Sequence, residues 1–273
     1  MSSLAPSSER VHQLSENFEA IRNQVVKASA SSGKTPTLVL VSKLKPPSDI
    51  MAIHGKLKDS EKHFGENYVQ ELVDKAKELP SDIKWHFIGG LQSNKCKALA
   101  SIPNLFVVET LDSVKKADLL EKALAGDPNN GRRLNVYLQV NTSGEDSKSG
   151  LPPPPTESSH NDGDTETLIG LAKHIMETCP HLHLLGLMTI GALQSSFQAT
   201  AGEENPDFIR LRDSRDLLQK ELGTHSLQLS MGMSNDFIAA IESGSDNVRV
   251  GSSIFGERPS KEQAKQQREE QKH

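Results

Sequence analysis

The feature that most constrains this fold is an alternation. From residue 37 onward, short runs rich in β-branched and aliphatic residues give way to longer runs of helical period, about eight times over. The β-runs cover 37–42 (TLVLVS), 63–65, 85–89 (WHFIG), 105–110 (LFVVET), 134–141 (LNVYLQVN), 182–190 (LHLLGLMTI), 227–231 (LQLSM) and 247–251 (NVRVG). Helical runs follow all but the last: from Ser48, then 68–79, 93–100, 113–125, 165–178, 206–222 and 234–243. An additional amphipathic helix over 8–30 precedes them, with Val11, Leu14, Phe18, Ile21 and Val25 on one face. Strands separated by helices run parallel. A count near eight predicts closure into a single (β/α)8 TIM barrel with an extra N-terminal helix and no second β-domain. An open doubly wound sheet is the alternative.

The 273 residues suit that fold, which takes roughly 250. The barrel is expected over 8–258. Segment 143–164 is polar, Pro- and Ser-rich and contains four consecutive prolines, which predicts a flexible insertion after the fifth strand. A charged tail follows over 259–273.

Net charge is −5 with both signs mixed along most of the chain, which leaves no basic footprint for nucleic acid. One Trp and two Tyr offer no stacking platform for bases. No apolar run reaches the ~18 residues of a membrane span, and the opening MSSLAPSSERVHQL lacks the basic and apolar regions of a secretory signal. The expectation is a cytoplasmic protein. Its two cysteines, Cys96 and Cys179, then read as incidental reduced thiols, with neither a disulfide framework nor a Cys-based metal site.

Active-site groups of such a barrel sit at the C-terminal ends of the strands, and phosphate commonly binds after strands seven and eight. Lys43 ends the first strand and shares a face with Val39 and Val41, so it points inward at the rim if that face lines the barrel. Desolvation there favours the neutral amine, the form that attacks an aldehyde to give a Schiff base. Lys45 would add positive charge; alternatively, both are ordinary solvated lysines beside Pro46. Ser234 sits where it would cap a helix after strand seven, an arrangement that suits phosphate, although Asp236 in the first turn fits a plain cap better. Gly251 and Ser252 form a small-residue turn after strand eight that an anion can approach closely. Arg249 lies one step deeper and needs a partner, either a carboxylate such as Glu109 or a ligand.

Seven segments through these positions carry a resemblance: VSKLKP (41–46), FGENYVQE (64–71), WHFIGGLQSNK (85–95), SKSG (147–150), GLMTIG (186–191), LSMGMSNDF (229–237) and VRVGSSIFGER (248–258). In this order they resemble the pyridoxal phosphate homeostasis protein family over residues 10–258. The Pro-rich stretch after SKSG and the charged tail depart from it. The resemblance implies an alanine racemase-like barrel holding pyridoxal 5′-phosphate (PLP) as a Schiff base with Lys43. Ser234, Gly251 and Ser252 would hold the phosphate, and Arg249 would face the pyridine nitrogen. Asn67, His86 and Met231 would lie around the ring, with His86 as readily a satisfied core histidine. Racemases of the related fold add a β-rich domain, whereas only about 20 residues follow the last strand here, short of a domain of ~50 residues. Neither Tyr68 nor Tyr137 lies in such a module. The expectation is therefore a monomeric carrier that buffers PLP and delivers it to apo-enzymes. A low-activity racemase or decarboxylase is the alternative, and a Schiff-base aldolase acting on a phosphorylated substrate is a third reading.

Overall fold

The structure, a computed structural model, describes residues 5–30, 33–126, 131–154, 167–192 and 204–257. Its eight strands are β1 (Thr37–Val41), β2 (His63–Glu66), β3 (Lys84–Phe87), β4 (Leu105–Leu111), β5 (Leu134–Gln139), β6 (Leu182–Met188), β7 (Gln228–Met233) and β8 (Asn247–Val250). Each pairs in parallel with the next, and β8 pairs in parallel with β1, so the sheet closes into a barrel in sequence order. Closure removes the open-sheet alternative.

Outside the ring lie α1 (Ser8–Ala28), α2 (Pro47–His54), α3 (Val69–Glu78), α4 (Cys96–Ala100, entered through a 3-10 turn at Ser93–Lys95), α5 (Val114–Ala125), α6 (Leu168–Thr178), α7 (Pro206–Leu222), α8 (Phe237–Glu242) and α9 (Ser252–Phe255). The amphipathic reading of α1 holds: Leu14, Phe18, Ile21 and Val25 are buried, and Ser7 caps its start by accepting from the Arg10 N–H. Arg10 and Asn17 then donate to the backbone carbonyls of Phe255 and Ile254, and Arg10 pairs with Asp49 at 2.5 Å, so α1 ties α2 to α9. Ser48 does not cap α2. The helix begins at Pro47, whose fixed φ and missing N–H suit a first helical position.

Side chains alternate along the strands. Leu40, Val108, Leu187, Leu229 and Val248 join the large core between sheet and helices. The opposite face lines the barrel, as Gly65 shows: a Cβ there would sit 3.0 Å from Val39 Cγ1 and 3.5 Å from Val41 Cγ2. Barrel interiors are usually filled by branched aliphatics. Here the interior apolar cluster is small, with Val107, Tyr137 and Met188 at its centre, and polar groups take much of the remaining space.

The described part of the insertion, up to residue 154, is more ordered than its composition predicts. Leu151 is buried, bridges Val140 and exchanges backbone hydrogen bonds with Gln139 and Asn141 at 2.8 Å, while Gln139 Nε2 donates to the Ser149 carbonyl. One apolar anchor beside β5 is enough to pin this stretch. The rest of the expected flexible insertion and the charged tail over 259–273 lie outside the described residues. No described helix is long and apolar enough to cross a membrane.

Candidate functional site

The rim residues fall on four strands that are neighbours in the ring. Ser234 follows β7, Gly251 follows β8, Lys43 lies two residues past the end of β1, and Asn67 follows β2. The Gly251 N–H donates to Ser234 Oγ at 3.2 Å, joining two of the expected phosphate positions. A Cβ on Gly251 would lie 3.1 Å from the Val41 carbonyl oxygen and 3.2 Å from Val41 Cβ. Glycine thus lets the end of β8 press against the end of β1, two residues before Lys43. Ser252, exposed, opens α9, and the first N–H groups of a helix have no partner within it.

Ser234 is not the helix cap that the sequence suggests. Asp236 occupies the position before α8, and its Oδ1 accepts from the Met233 N–H at 2.6 Å. The Asp236 carboxylate is therefore turned to the backbone of its own turn, while Ser234 bridges to β8. Asn67 contributes differently. Its Oδ1 is buried and meets no protein donor, so a ligand donor at this point would satisfy it. Gly89 fixes the spot from behind, because a Cβ there would fall 2.0 Å from the Asn67 carbonyl oxygen.

Lys43 is half-buried, and the residues on either side of it are clamped. Lys75, buried on α3, directs its ammonium at the Ser42 carbonyl (2.9 Å), Glu66 Oε1 (2.7 Å) and Glu71 Oε1 (2.7 Å). The Ser42 hydroxyl also donates to Glu66 Oε1 (2.6 Å), and the Leu44 N–H donates to Glu71 Oε1 (2.7 Å). Leu44 holds a φ of +60°, a conformation that costs a branched residue about 1–2 kcal/mol. Burial pushes the Glu66 carboxyl up to about 7 against the pull of Lys75, and its Oε2 has no partner. Lys45, read from sequence as a charge acting on Lys43, donates instead to the Glu257 carbonyl at 2.6 Å.

Beneath the rim, Arg249 is buried with Glu109 as its counter-charge, at 3.6 Å. Its guanidinium also donates to Ser230 Oγ and to the Thr189 carbonyl (2.7 Å). Glu109 accepts from Ser230 Oγ (2.6 Å) and Asn247 Nδ2 (2.9 Å), and meets His86 Nδ1 at 2.6 Å. Burial alone would raise this carboxyl, but the His86 hydrogen bond and the charges of His86 and Arg249 hold it below its ordinary value. His86 Nε2 meets His63 Nδ1 at 2.8 Å. Both ring nitrogens of His86 are thus committed to protein, which makes it part of the floor. Burial, with His86 and Lys84 nearby, drives His63 down to about 2.

Met231 departs from its expected place. Ser230 points inward, so its neighbour Met231 points outward, fully buried in the core between sheet and helices. Ser230 is the inward residue that sequence reading missed, and its alternation with Gln228, which bonds Tyr137, was the available signal. Lys75 was missed as well. Its only sequence trace is the spacing of four from Glu71, a pattern normally exposed.

A closed eight-stranded parallel barrel with a lysine and a Gly–Ser turn at adjacent strand ends, and a buried arginine below them, has the architecture of alanine racemase-like barrels. The family model for the alanine racemase N-terminal domain matches residues 14–259. The chain belongs to the pyridoxal phosphate homeostasis protein family. It is 44% identical over 242 residues to the pyridoxal phosphate homeostasis protein of Schizosaccharomyces pombe, covering 89% of this chain and 92% of that one. The structure of PipY from Synechococcus elongatus with PLP bound superposes with a TM-score of 0.68 at 28% identity, covering 89% of this chain and all (100%) of PipY. An alanine racemase of Clostridium difficile, at 12% identity and a TM-score of 0.63, shares the fold over 90% of this chain and 58% of its own.

Proposed function

We propose that this chain binds pyridoxal 5′-phosphate at the rim formed by β7, β8, β1 and β2, and that it buffers and delivers the cofactor without turnover of its own. The observation that carries this reading is the convergence at the barrel seam: Gly251 bonded to Ser234 and packed on Val41, two residues from Lys43. PLP supplies an aldehyde for a lysine amine and a phosphate for hydroxyl and backbone donors.

Lys43 would provide the amine for the cofactor's aldehyde, with the residues on either side of it, Ser42 and Leu44, held by the Lys75 cluster. Ser234, whose oxygen accepts from Gly251, keeps its hydroxyl proton for the phosphate, and Ser252 adds an N–H from the start of α9. Asn67 Oδ1 accepts from the bound group. Arg249 would lie on the pyridine-nitrogen side of the cofactor; being permanently charged, it cannot accept a proton, and it would make the bound group a poorer electron sink. His86 contributes by steadying Glu109, which in turn steadies Arg249. The protein acts as a cytoplasmic monomer, and the recipients are PLP-dependent apo-enzymes.

Delivery has a direct assay. Loaded protein is mixed with a PLP-requiring apo-enzyme in the presence of a scavenger of free PLP. Reactivation faster than from the same amount of free PLP is expected, with no sustained conversion of amino acids by the loaded protein alone. Sustained turnover would instead favour a racemase or decarboxylase.

A further inference from the structure

On the outer wall, away from the rim, α5 and the end of α6 bring together Asp118, His174 and Cys179. The three side chains come from two helices and a helix cap, yet their ligand atoms all lie within 4.8 Å of one another. His174 Nε2 meets Asp118 Oδ1 at 2.7 Å. Cys179 is the residue that ends α6, and the Thr178 hydroxyl, which donates to the His174 carbonyl at 2.7 Å, lies 3.7 Å from its sulfur. The thiol is buried, His174 is partly covered and Asp118 faces solvent, so the cluster is open on one side. Cysteine counting from sequence saw no metal site because only one of its donors is a cysteine.

We propose that Asp118, His174 and Cys179 form a binding site for a thiophilic divalent cation of the zinc class. One sulfur, one imidazole nitrogen and one carboxylate oxygen make a donor set that hard cations such as Mg²⁺ and Ca²⁺ do not favour. Tetrahedral coordination with bonds of about 2.0–2.3 Å places ligand atoms about 3.3–3.8 Å apart. The present spacing reaches that by side-chain adjustment of the exposed Asp118 and the partly covered His174, without moving the buried sulfur. Three protein ligands leave the fourth position on the solvent side for water. On binding, Cys179 releases its thiol proton to solvent, and thiolate plus carboxylate neutralise the dication.

The surroundings favour a cation as well: besides Asp118, the carboxylate of Glu121, engaged by His181 at 2.6 Å, lies near the Cys179 sulfur. A surface Asp–His pair alone contributes little to stability.

The test uses the full chain with its cofactor in place, titrated with Co²⁺ under reducing, oxygen-free conditions and followed by the d–d bands of tetrahedral cobalt, then by displacement with Zn²⁺. One equivalent is expected to bind. Cys179→Ser should abolish the bands, and Asp118→Asn and His174→Gln, both at accessible positions, should each weaken Zn²⁺ binding at least about tenfold while leaving the far-UV circular dichroism unchanged. Cys96→Ser, which alters the other buried thiol, should bind as the parent does. No stoichiometric uptake, or uptake unaltered in His174→Gln and Cys179→Ser, would overturn the proposal.

Discussion

The protein buries two carboxylate–cation clusters near its site, and they are built differently. Inside the barrel, both oxygens of Glu109 are engaged, by His86, Asn247 and Ser230, with Arg249 as counter-charge. Outside it, Glu66 takes its donors from Ser42 and Lys75 on one oxygen and leaves the other without a partner. The consequence is opposite in sign. Glu109 is held below its ordinary value, and Glu66 is pushed up to about 7. Donors and neighbouring charges together decide whether a buried carboxylate stays ionised: His86 and Arg249 draw Glu109 down, whereas the Glu71 carboxylate adds to burial in pushing Glu66 up. The inner cluster rests on strands and fixes the permanent charge of Arg249. The outer cluster joins α3 to the turn after β1 and fixes the residues on either side of Lys43.

Removing one partner from each cluster should separate them most clearly. Glu109→Gln leaves Arg249 buried without its counter-charge, and guanidinium cannot shed its proton. A loss of about 3–5 kcal/mol is expected in urea denaturation at pH 7. Lys75→Met leaves a carboxyl that can take up a proton instead, so its cost should be smaller, about 1–3 kcal/mol. Because the turn carrying Lys43 loses its clamp, PLP affinity in that variant should fall about tenfold. Equal stability losses in the two variants would break the comparison.

The floor cluster also predicts a pH dependence. His63 is held neutral in the folded state, down to about 2, whereas the unfolded residue titrates near 6.5. Stability is therefore fully present above about 6.5 and declines as pH falls toward 2, at about 1.4 kcal/mol per pH unit. Between pH 6.5 and 5 the parent should lose about 2 kcal/mol more than a His63→Gln variant, measured by urea denaturation at both values.

Much of the barrel was legible because strand and helix periods differ, and all eight β-runs became strands. The inward face of β1 was legible for the same reason: the alternation put Val39 and Val41 together, and both pack against Gly65 inside the barrel. Other features needed three dimensions. Ser234 and Asp236 both suit a helix start, so the cap was expected at Ser234, whereas Asp236 holds that position and Ser234 bridges to Gly251. Met231 was placed by resemblance, whereas its side chain follows the pleat outward. The cluster on Lys75 joins residues 33 apart at Ser42 and 9 apart at Glu66, and nothing in a helix bearing Glu71 and Lys75 says that its charge is buried. The pairing of Leu151 beside β5 was hidden by the polar composition around it.

Borohydride reduction of the PLP-loaded protein, followed by peptide mapping beside Lys43→Ala, tests the central claim most directly. The expected result is one reduced pyridoxyl group on the peptide containing Lys43, lost in the variant together with the visible absorbance. A label on another lysine, or the same absorbance and label in Lys43→Ala, would contradict the assignment of the cofactor to this rim.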